Sequence, residues 1–281
     1  MAVASRCLSS AAKSTKLHYE VLGTLSPSKS TLFLHGLLGN GKNLRGLAMA
    51  VDAPSSILMD LRGHGKSSSF DDSNNFKNCA LDVKRTLEDT TTLSTLVGHS
   101  FGGRIALEYS HHLLVEELRT VLPTMWLLDT VPGQANDTVE RVLAAVDSVQ
   151  MSTKRDVILQ LRELGVEEGI TQWLAASLQS KPDKKLEWGF NLRVAQEVLE
   201  YFGQQDFLGK VEEMCVTSDA TIHLVRGGQN NGWGNDPTVL PALDKLSKNL
   251  RNFHVHVLPR AGHWVHVDDL KGLVNLIHSH G

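Results

Sequence analysis

The chain has 281 residues, of which 41% are hydrophobic and 21% are charged. These proportions are typical of a globular protein and exclude the fibrous and disordered classes. The 28 Lys and Arg residues nearly balance the 31 Asp and Glu residues, so no basic field favours a nucleic-acid partner. No apolar run approaches the roughly 18 residues of a membrane span. The three cysteines are too few and too scattered for a disulfide framework or a paired zinc motif.

Residues 1–16 differ in composition from the rest of the chain. They contain Arg6, Lys13 and Lys16, several serines and no acidic residue. A basic, serine-rich and acid-free segment is typical of an organelle transit peptide, and it lacks the apolar core of a secretory signal. We therefore expect a mitochondrial targeting segment; a solvated terminus, with a cytoplasmic location, is the alternative.

From residue 17 onward, short apolar runs alternate with stretches long enough for helices. Each run has four to six apolar or β-branched residues and ends near Gly, Asp or Pro, which favours strands that are covered on both faces. The runs are 31–34, 56–59, 93–97, 125–128, 221–225 and 253–258. Segments 76–87 and 101–114 fit helical crossovers. The pattern predicts an α/β fold with a mostly parallel, doubly wound sheet.

One segment, about 132–207, breaks this alternation. Apolar residues recur there at helical spacing, for example Val139, Val142, Leu143 and Val146, and no strand is predicted. Because no flexible linker separates the segment from its surroundings, we expect one domain over 17–281 that carries an inserted helical lid.

The sharpest local motif is Gly98-His99-Ser100-Phe101-Gly102, which is followed by a further glycine. A predicted strand precedes it and a predicted helix follows it, which is the context of a nucleophile elbow. Such a turn lifts the Ser100 hydroxyl above the sheet edge, and the N-terminus of the following helix points its free N–H groups at the same place. Ser100 is therefore the predicted nucleophile.

A second glycine-bearing loop, 35–39, follows the strand at 31–34. Backbone N–H groups of Leu37 and Phe101 are the expected donors of an oxyanion hole, a feature that typically contributes about 10²–10³ in rate per donor. His35 is assigned to the substrate pocket. A role as a brace within its loop is favoured for it over that of a base.

Four ordered motifs together resemble the α/β-hydrolase superfamily. They are His35–Gly39, Asp60–Ser67, Gly98–Gly103 and Ala261–Trp264. The resemblance covers nearly the whole chain from about Leu17. It implies an α/β-hydrolase sheet, and it implies that Asp60–Ser67 forms a shaping turn beside the site.

The general base is expected on the loop after the last strand. His263 follows Gly262 in that loop, whereas the competing His266 falls where the terminal helix should begin. The pair does not indicate a metal site, because the glutamate of an HExxH motif is absent. No metal and no organic cofactor is expected.

The acid of the triad is less obvious. The resemblance places it after the strand that ends at Val225, but the loop there has no carboxylate before Asp236. Asp129 ends the strand that follows the helix after Ser100, so its carboxylate should emerge at the same sheet edge. We therefore predict Ser100, His263 and Asp129 as the triad, with Asp236 as the alternative acid.

The displaced acid narrows the resemblance to a subgroup of small esterases that includes the bacterial ybfF-type enzymes and abhydrolase domain-containing protein 11. The matching stretches are Asp129–Pro132, Gly227–Asn230 and Trp188–Leu192. Asn230 stands where the subgroup has a small hydroxyl residue, and the proline of the first stretch comes one place early.

These residues predict a serine hydrolase that cleaves carboxylic esters or thioesters of small to medium acyl groups through an acyl-enzyme. Large aromatic residues of the lid and of the base loop should line an apolar pocket: Trp173, Trp188, Phe190 and Trp264. Two alternatives stay open: a receptor or interaction protein that keeps the triad with negligible turnover, and a carbon–carbon bond hydrolase or lyase on the same fold.

Overall fold

A computed structural model describes residues 16–24, 30–67, 72–87, 93–119, 121–135, 137–182 and 185–280. Residues 1–15 of the expected targeting segment lie outside these ranges, so the targeting role of the segment stays a prediction. Among the described residues, the helices are too short or too polar to cross a membrane.

The strands are β1 (Tyr19–Gly23), β2 (Ser30–Leu34), β3 (Ser55–Met59), β4 (Leu93–His99), β5 (Thr124–Leu128), β6 (Gln179–Ser180), β7 (Leu186–Glu187), β8 (Ile222–Gly227) and β9 (Phe253–Leu258). The helices are α1 (Arg45–Val51), α2 (Phe76–Leu87), α3 (Phe101–Val115), α4 (Asp137–Ser148), α5 (Lys154–Glu163), α6 (Glu168–Ser177), α7 (Leu192–Leu199), α8 (Phe207–Thr217), α9 (Val239–Asn249), α10 (Val265–Asp268) and α11 (Leu270–His280).

Seven of these strands form one sheet in the order β1-β3-β2-β4-β5-β8-β9. All neighbours are parallel except β1, which runs antiparallel to β3 at the edge. The expected mostly parallel sheet is therefore confirmed. Strand β1 was not predicted from the sequence, because it is short and only partly buried.

Alternate side chains of the central strands enter two different cores, as the period of a strand requires. Leu32 and Leu34 of β2 join a core with α2, α3, α8 and α9, whereas Phe33 joins one with α1, α10 and α11. The two cores cover opposite faces of the sheet. This doubly wound arrangement leaves the carboxyl ends of the strands free to carry loops.

The segment between β5 and β8 contains α4 to α7, as the helical spacing predicted. It also contains the two-stranded β6–β7 sheet, so the expectation of helices alone was wrong. The two strands have two residues each and bury no apolar stripe, which explains why no periodic signal marked them. We call residues 132–207 the inserted segment.

A third core joins the inserted segment to the rest of the molecule. It is built mainly from side chains of α4 to α7, and Leu38 from the loop after β2 belongs to it. Leu37 and Trp173 pack against the same core. The inserted segment therefore rests on the loop that carries Leu37.

Histidines of β8 and β9 form a separate cluster near the start of these strands. His223 stacks on Trp126 with ring centroids 4.1 Å apart, and it lies 3.0 Å from the ring of His256 between Nδ1 and Nε2. Burial, together with repulsion from neighbouring histidines, lowers the pKa of His223 to about 3 and that of His256 to about 4. The rings of His223 and His256 are therefore uncharged at neutral pH.

We expect this cluster to make the fold sensitive to acid. The unfolded chain takes up protons on these rings near pH 6.5 and the folded chain does not, so stability is present above pH 6.5 and falls as the pH drops below it. In His223→Phe, the slope of unfolding free energy against pH between 7 and 5 should become shallower, by up to about 1.4 kcal/mol per pH unit. Urea unfolding across this range measures the slope. An unchanged slope in His223→Phe would contradict the assignment.

Candidate active site

Ser100 occupies a sharp turn between β4 and α3. Its backbone has φ 51° and ψ −113°, and helix α3 begins at the next residue. A positive φ in a residue other than glycine costs about 1–3 kcal/mol and is common at functional sites. The Ser100 N–H donates to the carbonyl of Leu128 over 2.8 Å, which fixes the turn against the end of β5. The predicted elbow geometry is present.

The glycines of the motif allow three backbones to meet at this turn. A Cβ atom on Gly102 would lie 2.2 Å from the carbonyl oxygen of Leu34, and one on Gly98 would lie 2.5 Å from that of Gly102. Both distances are impossible for a side chain. The first turn of α3 can therefore lie directly against the end of β2, which carries the other glycine loop.

Asp129 directly follows β5 and is fully buried, with φ 46°. Its Oδ1 accepts hydrogen bonds of 2.7 Å from the Gly227 N–H and the Trp233 Nε1–H. Its Oδ2 accepts from the side-chain amide of Asn230 and lies 2.7 Å from Nδ1 of His263. Four donors thus surround one carboxylate, which compensates for its removal from water.

His263 lies on the loop after β9, and its side chain is 37% exposed. A Cβ atom on Gly227 would lie 2.0 Å from the carbonyl oxygen of Gly262, so the loops after β8 and β9 approach closely at this glycine. The ring of His99 donates from Nε2 to the His263 carbonyl over 2.9 Å. Among the described residues, no hydrogen bond joins Ser100 to His263. Catalytic hydrogen bonds of this kind often tighten only when substrate is bound.

His266 is the competing base, but it is only 6% exposed. Its ring packs edge-on against that of His99, with centroids 4.6 Å apart. Burial lowers the pKa of His266 to about 4 and that of His99 well below its ordinary value. Both rings are therefore neutral packing partners behind His263, which faces the surface.

Asp236, the alternative acid, is exposed and lies in a different environment. Its carboxylate accepts from the backbone N–H and the hydroxyl of Thr238, over 2.8 and 2.6 Å. These bonds lower the pKa of Asp236. In the described part of the chain, its carboxylate makes no contact with His263, so the structure brings Asp129 and not Asp236 to the histidine.

The backbone N–H groups of Leu37 and Phe101 lie at the ends of two adjacent parallel strands, and neither donates to another described residue. The next N–H in the loop, that of Leu38, donates to Nε2 of His64 over 3.1 Å. His64 in turn donates from Nδ1 to the Arg62 carbonyl. Because that carbonyl only accepts, His64 carries its proton on Nδ1 and holds the loop of Leu37 in place.

His35 does not line a pocket, although the sequence analysis assigned it there. The side chain is fully buried, its Nε2 accepts from the Leu61 N–H over 2.9 Å, and its Nδ1 donates to the Gly36 carbonyl over 2.8 Å. Burial lowers its pKa to about 4. With both ring nitrogens occupied, His35 is a neutral brace between two loops.

Two of the predicted pocket aromatics lie beside the histidine. Trp173 of α6 and Trp264 have ring centroids 6.0 Å apart, and Trp264 lies edge-on to His263 at 5.7 Å. Both tryptophans are half-buried. They connect the inserted segment to the loop of His263.

The other two aromatics form a second pair on the loop before α7. Trp188 stacks on Phe190 with ring centroids 5.4 Å apart. The ring centroids of Phe190 and His64 are 6.4 Å apart. Phe190 is 7% exposed and belongs to the core of the inserted segment. Of this pair, only Trp188 retains a partly exposed ring.

The residues that bond to Asp129 and position the two loops were not predicted from the sequence. Asn230 and Trp233 donate to Asp129, and His64 and His99 position the two loops described above. One signal was available. The loop after β8 has no carboxylate before Asp236, which indicates that it supplies hydrogen-bond donors to an acid from another strand.

A half-buried elbow serine and an aspartate–histidine pair at the carboxyl edge of a doubly wound sheet define the class of α/β hydrolases. The sequence profile of the Alpha/beta hydrolase family matches residues 31–276, and the chain belongs to this family.

Several known proteins are similar to the chain. It is 25% identical over 272 residues to the sn-1-specific diacylglycerol lipase ABHD11 of Danio rerio, covering 92% of this chain and 80% of the relative. It is 26% identical over 244 residues to the esterase YbfF of Escherichia coli K12, covering 84% and 87%. A marine microorganism esterase superposes with a TM-score of 0.75 at 19% identity, covering 95% of this chain and 99% of the other. The expected superfamily, fold and hydrolase class are thus confirmed.

Loss of the indole donor at Asp129 should destabilise the fold. Trp233→Phe removes a hydrogen bond to a buried carboxylate, and we expect a loss of about 1.5–3 kcal/mol in unfolding free energy. Urea unfolding at pH 7 measures it. The matched control is Trp264→Phe, whose indole N–H bonds to no described residue, and it should lose clearly less. Equal losses would show that ring packing and not the hydrogen bond stabilises the acid.

Proposed function

We propose that the protein is a serine hydrolase that cleaves carboxylic ester or thioester bonds, with Ser100, His263 and Asp129 as its triad. The observation that carries this proposal is the 2.7 Å contact between Asp129 Oδ2 and His263 Nδ1 beside the elbow of Ser100. A carbonyl oxygen or a hydroxyl at Nδ1 would orient the ring equally well. Only a carboxylate also stabilises the positive imidazolium that forms during the reaction.

The first half-reaction transfers the acyl group to the enzyme. Ser100 Oγ attacks the substrate carbonyl while Nε2 of His263 takes the hydroxyl proton. Nδ1 of His263 keeps its own proton and donates it in a hydrogen bond to Asp129. The same Nε2 then gives its proton to the leaving alcohol or thiol as the bond from the carbonyl carbon to the leaving oxygen or sulfur breaks, and the acyl group stays esterified to Ser100. The exposure of His263 leaves this nitrogen accessible from the surface, unlike the buried His266.

The oxyanion that forms needs donors which are already oriented. The N–H groups of Leu37 and Phe101 are unpaired among the described residues, and Phe101 is the first residue of α3, where the helix dipole is positive. The loop of Leu37 is held from behind through Leu38 and His64. Water then attacks the acyl-enzyme, with His263 acting as base a second time.

The inserted segment supports an apolar acyl substrate. Trp173, Trp188 and Trp264 keep partly exposed rings on the elements that border His263 and the loop of Leu37. Two relatives are named a diacylglycerol lipase and an esterase. We propose acyl groups of short to medium length as the substrate class, recognised by burial of the chain, and the inserted segment as the lid that encloses them.

Ser100→Ala should abolish ester hydrolysis without loss of the fold. We expect the wild type to hydrolyse p-nitrophenyl acyl esters and to be labelled by a fluorophosphonate at Ser100, and the variant to do neither. Rates across a series of acyl chains and labelling read by mass spectrometry are the measurements. A folded wild type that neither labels nor hydrolyses would favour the receptor alternative. Labelling without hydrolysis of any ester or thioester would favour carbon–carbon bond chemistry.

The two candidate acids are separated by a pair of isosteric variants. Asp129→Asn removes the charge that faces His263 and can leave the wrong tautomer, so kcat should fall about 10⁴-fold, as for the equivalent change in a serine protease. Asp236→Asn changes only a cap on Thr238, so kcat should stay within about twofold of the wild type. Near-normal kcat in the first variant and loss of activity in the second would reverse the assignment.

A further inference from the structure

Arg104 lies on α3, one helical turn after Ser100, and its side chain is 2% exposed. In the described ranges, no carboxylate bonds to its guanidinium. Burial lowers its pKa to about 9, which still leaves it charged at neutral pH. A buried charge without an ion partner is retained in a fold only when oriented dipoles replace the lost water.

The dipoles around Arg104 come from two separate parts of the chain. Nη2 donates to the carbonyls of Val131 and Gly133, over 2.6 and 2.5 Å. Nη1 donates to the carbonyl of Phe202 over 3.0 Å and to Oε1 of Gln205 over 3.3 Å. The first pair lies where the inserted segment begins, and the second lies where it ends.

Further contacts tie the second end to the same arginine. The guanidinium lies over the ring of Phe202, 4.4 Å from its centroid. Gln205 donates from Nε2 back to the Arg104 carbonyl over 3.1 Å and to Glu108 over 3.2 Å. A planar guanidinium has several donors that point in different directions, so it can donate to both ends of the inserted segment at once. A lysine ammonium is a single point of charge and cannot reach both ends.

We propose that Arg104 is a positioning residue that joins the two ends of the inserted segment to the helix of Ser100 and thereby fixes that segment over the active site. The first turn of α3 sets the place of Ser100, and its second turn holds both ends of the segment. The distance between nucleophile and pocket wall is therefore set within one helix. The segment acts as a fixed wall and does not swing open at its ends to admit substrate.

Hydrogen exchange tests the anchoring without any substrate. In Arg104→Met, amides of 131–135 and 200–206 should exchange at least tenfold faster than in the wild type, and those of β4 and β5 should not change. Arg104→Lys keeps the charge and should show an intermediate increase; it also serves if the methionine variant does not fold. The matched control is Arg141→Met, an exposed arginine of the same segment, which should exchange at the wild-type rate. Unchanged exchange at both ends in folded Arg104→Lys and Arg104→Met would overturn the proposal.

A kinetic measurement tests the consequence for substrate, and this part rests on the proposed function. On a medium-chain p-nitrophenyl ester, KM of the Arg104 variants should rise about tenfold while kcat changes less than threefold, because the wall is displaced and the triad is not. A fall in kcat at constant KM would show that Arg104 supports the triad instead of the wall. If the wild type hydrolyses no ester, the proposed function fails while the exchange result still decides the anchoring.

Discussion

The carboxylate of Asp129 is the interaction on which the candidate site depends. It is fully buried at the end of β5, and its four donors come from the last residue of β8 and from the loops after β8 and β9. Two of these donors, Asn230 and Trp233, lie in the loop after β8, whose Gly228 and Gln229 N–H groups also donate to the carbonyls of Leu258 and Ala261, each over 2.9 Å. A negative charge in that position therefore draws three loops together. Without it, the indole and amide donors would be buried and unpaired, which is itself unfavourable.

Around this charge, the protein uses histidine mostly in its neutral form. His35 and His64 each donate from one ring nitrogen and accept at the other, so each ring joins two loops. His99 and His266 pack behind His263. Burial keeps the pKa of all four below the neutral range. His263, with its exposed side chain, is thereby set apart from histidines that only build the site.

The sequence was sufficient where the structural cause is local. The strained turn at Ser100 needs small neighbours within three residues, so the motif could be identified from spacing alone. Asp129 could be predicted because the ends of adjacent parallel strands meet at one sheet edge. Asn230 and Trp233 could not, because their role depends on a contact with a residue about 100 positions away. His35 was assigned to the pocket because sequence does not show which face of a loop is buried.

The elements that escaped prediction share a physical reason. Strand β1 and the β6–β7 pair are short and half-exposed, so they carry no apolar period that distinguishes them from loops. Arg104 would be read from sequence as a surface residue of an amphipathic helix. Its burial follows from the carbonyls that the inserted segment presents to it, and these come together only in the folded chain.

The position of the acid in the chain has a consequence for how such proteins diversify. Ser100 and Asp129 directly follow two neighbouring strands that α3 connects, so the proposed nucleophile and acid belong to one continuous strand–helix–strand unit. The inserted segment begins after this unit is complete. Insertions, deletions or exchange of helices between Gly133 and Phe202 would change the proposed substrate-binding surface and leave the spacing of the proposed nucleophile and acid intact. The proposed recognition surface can therefore change without altering the unit that carries the proposed nucleophile and acid.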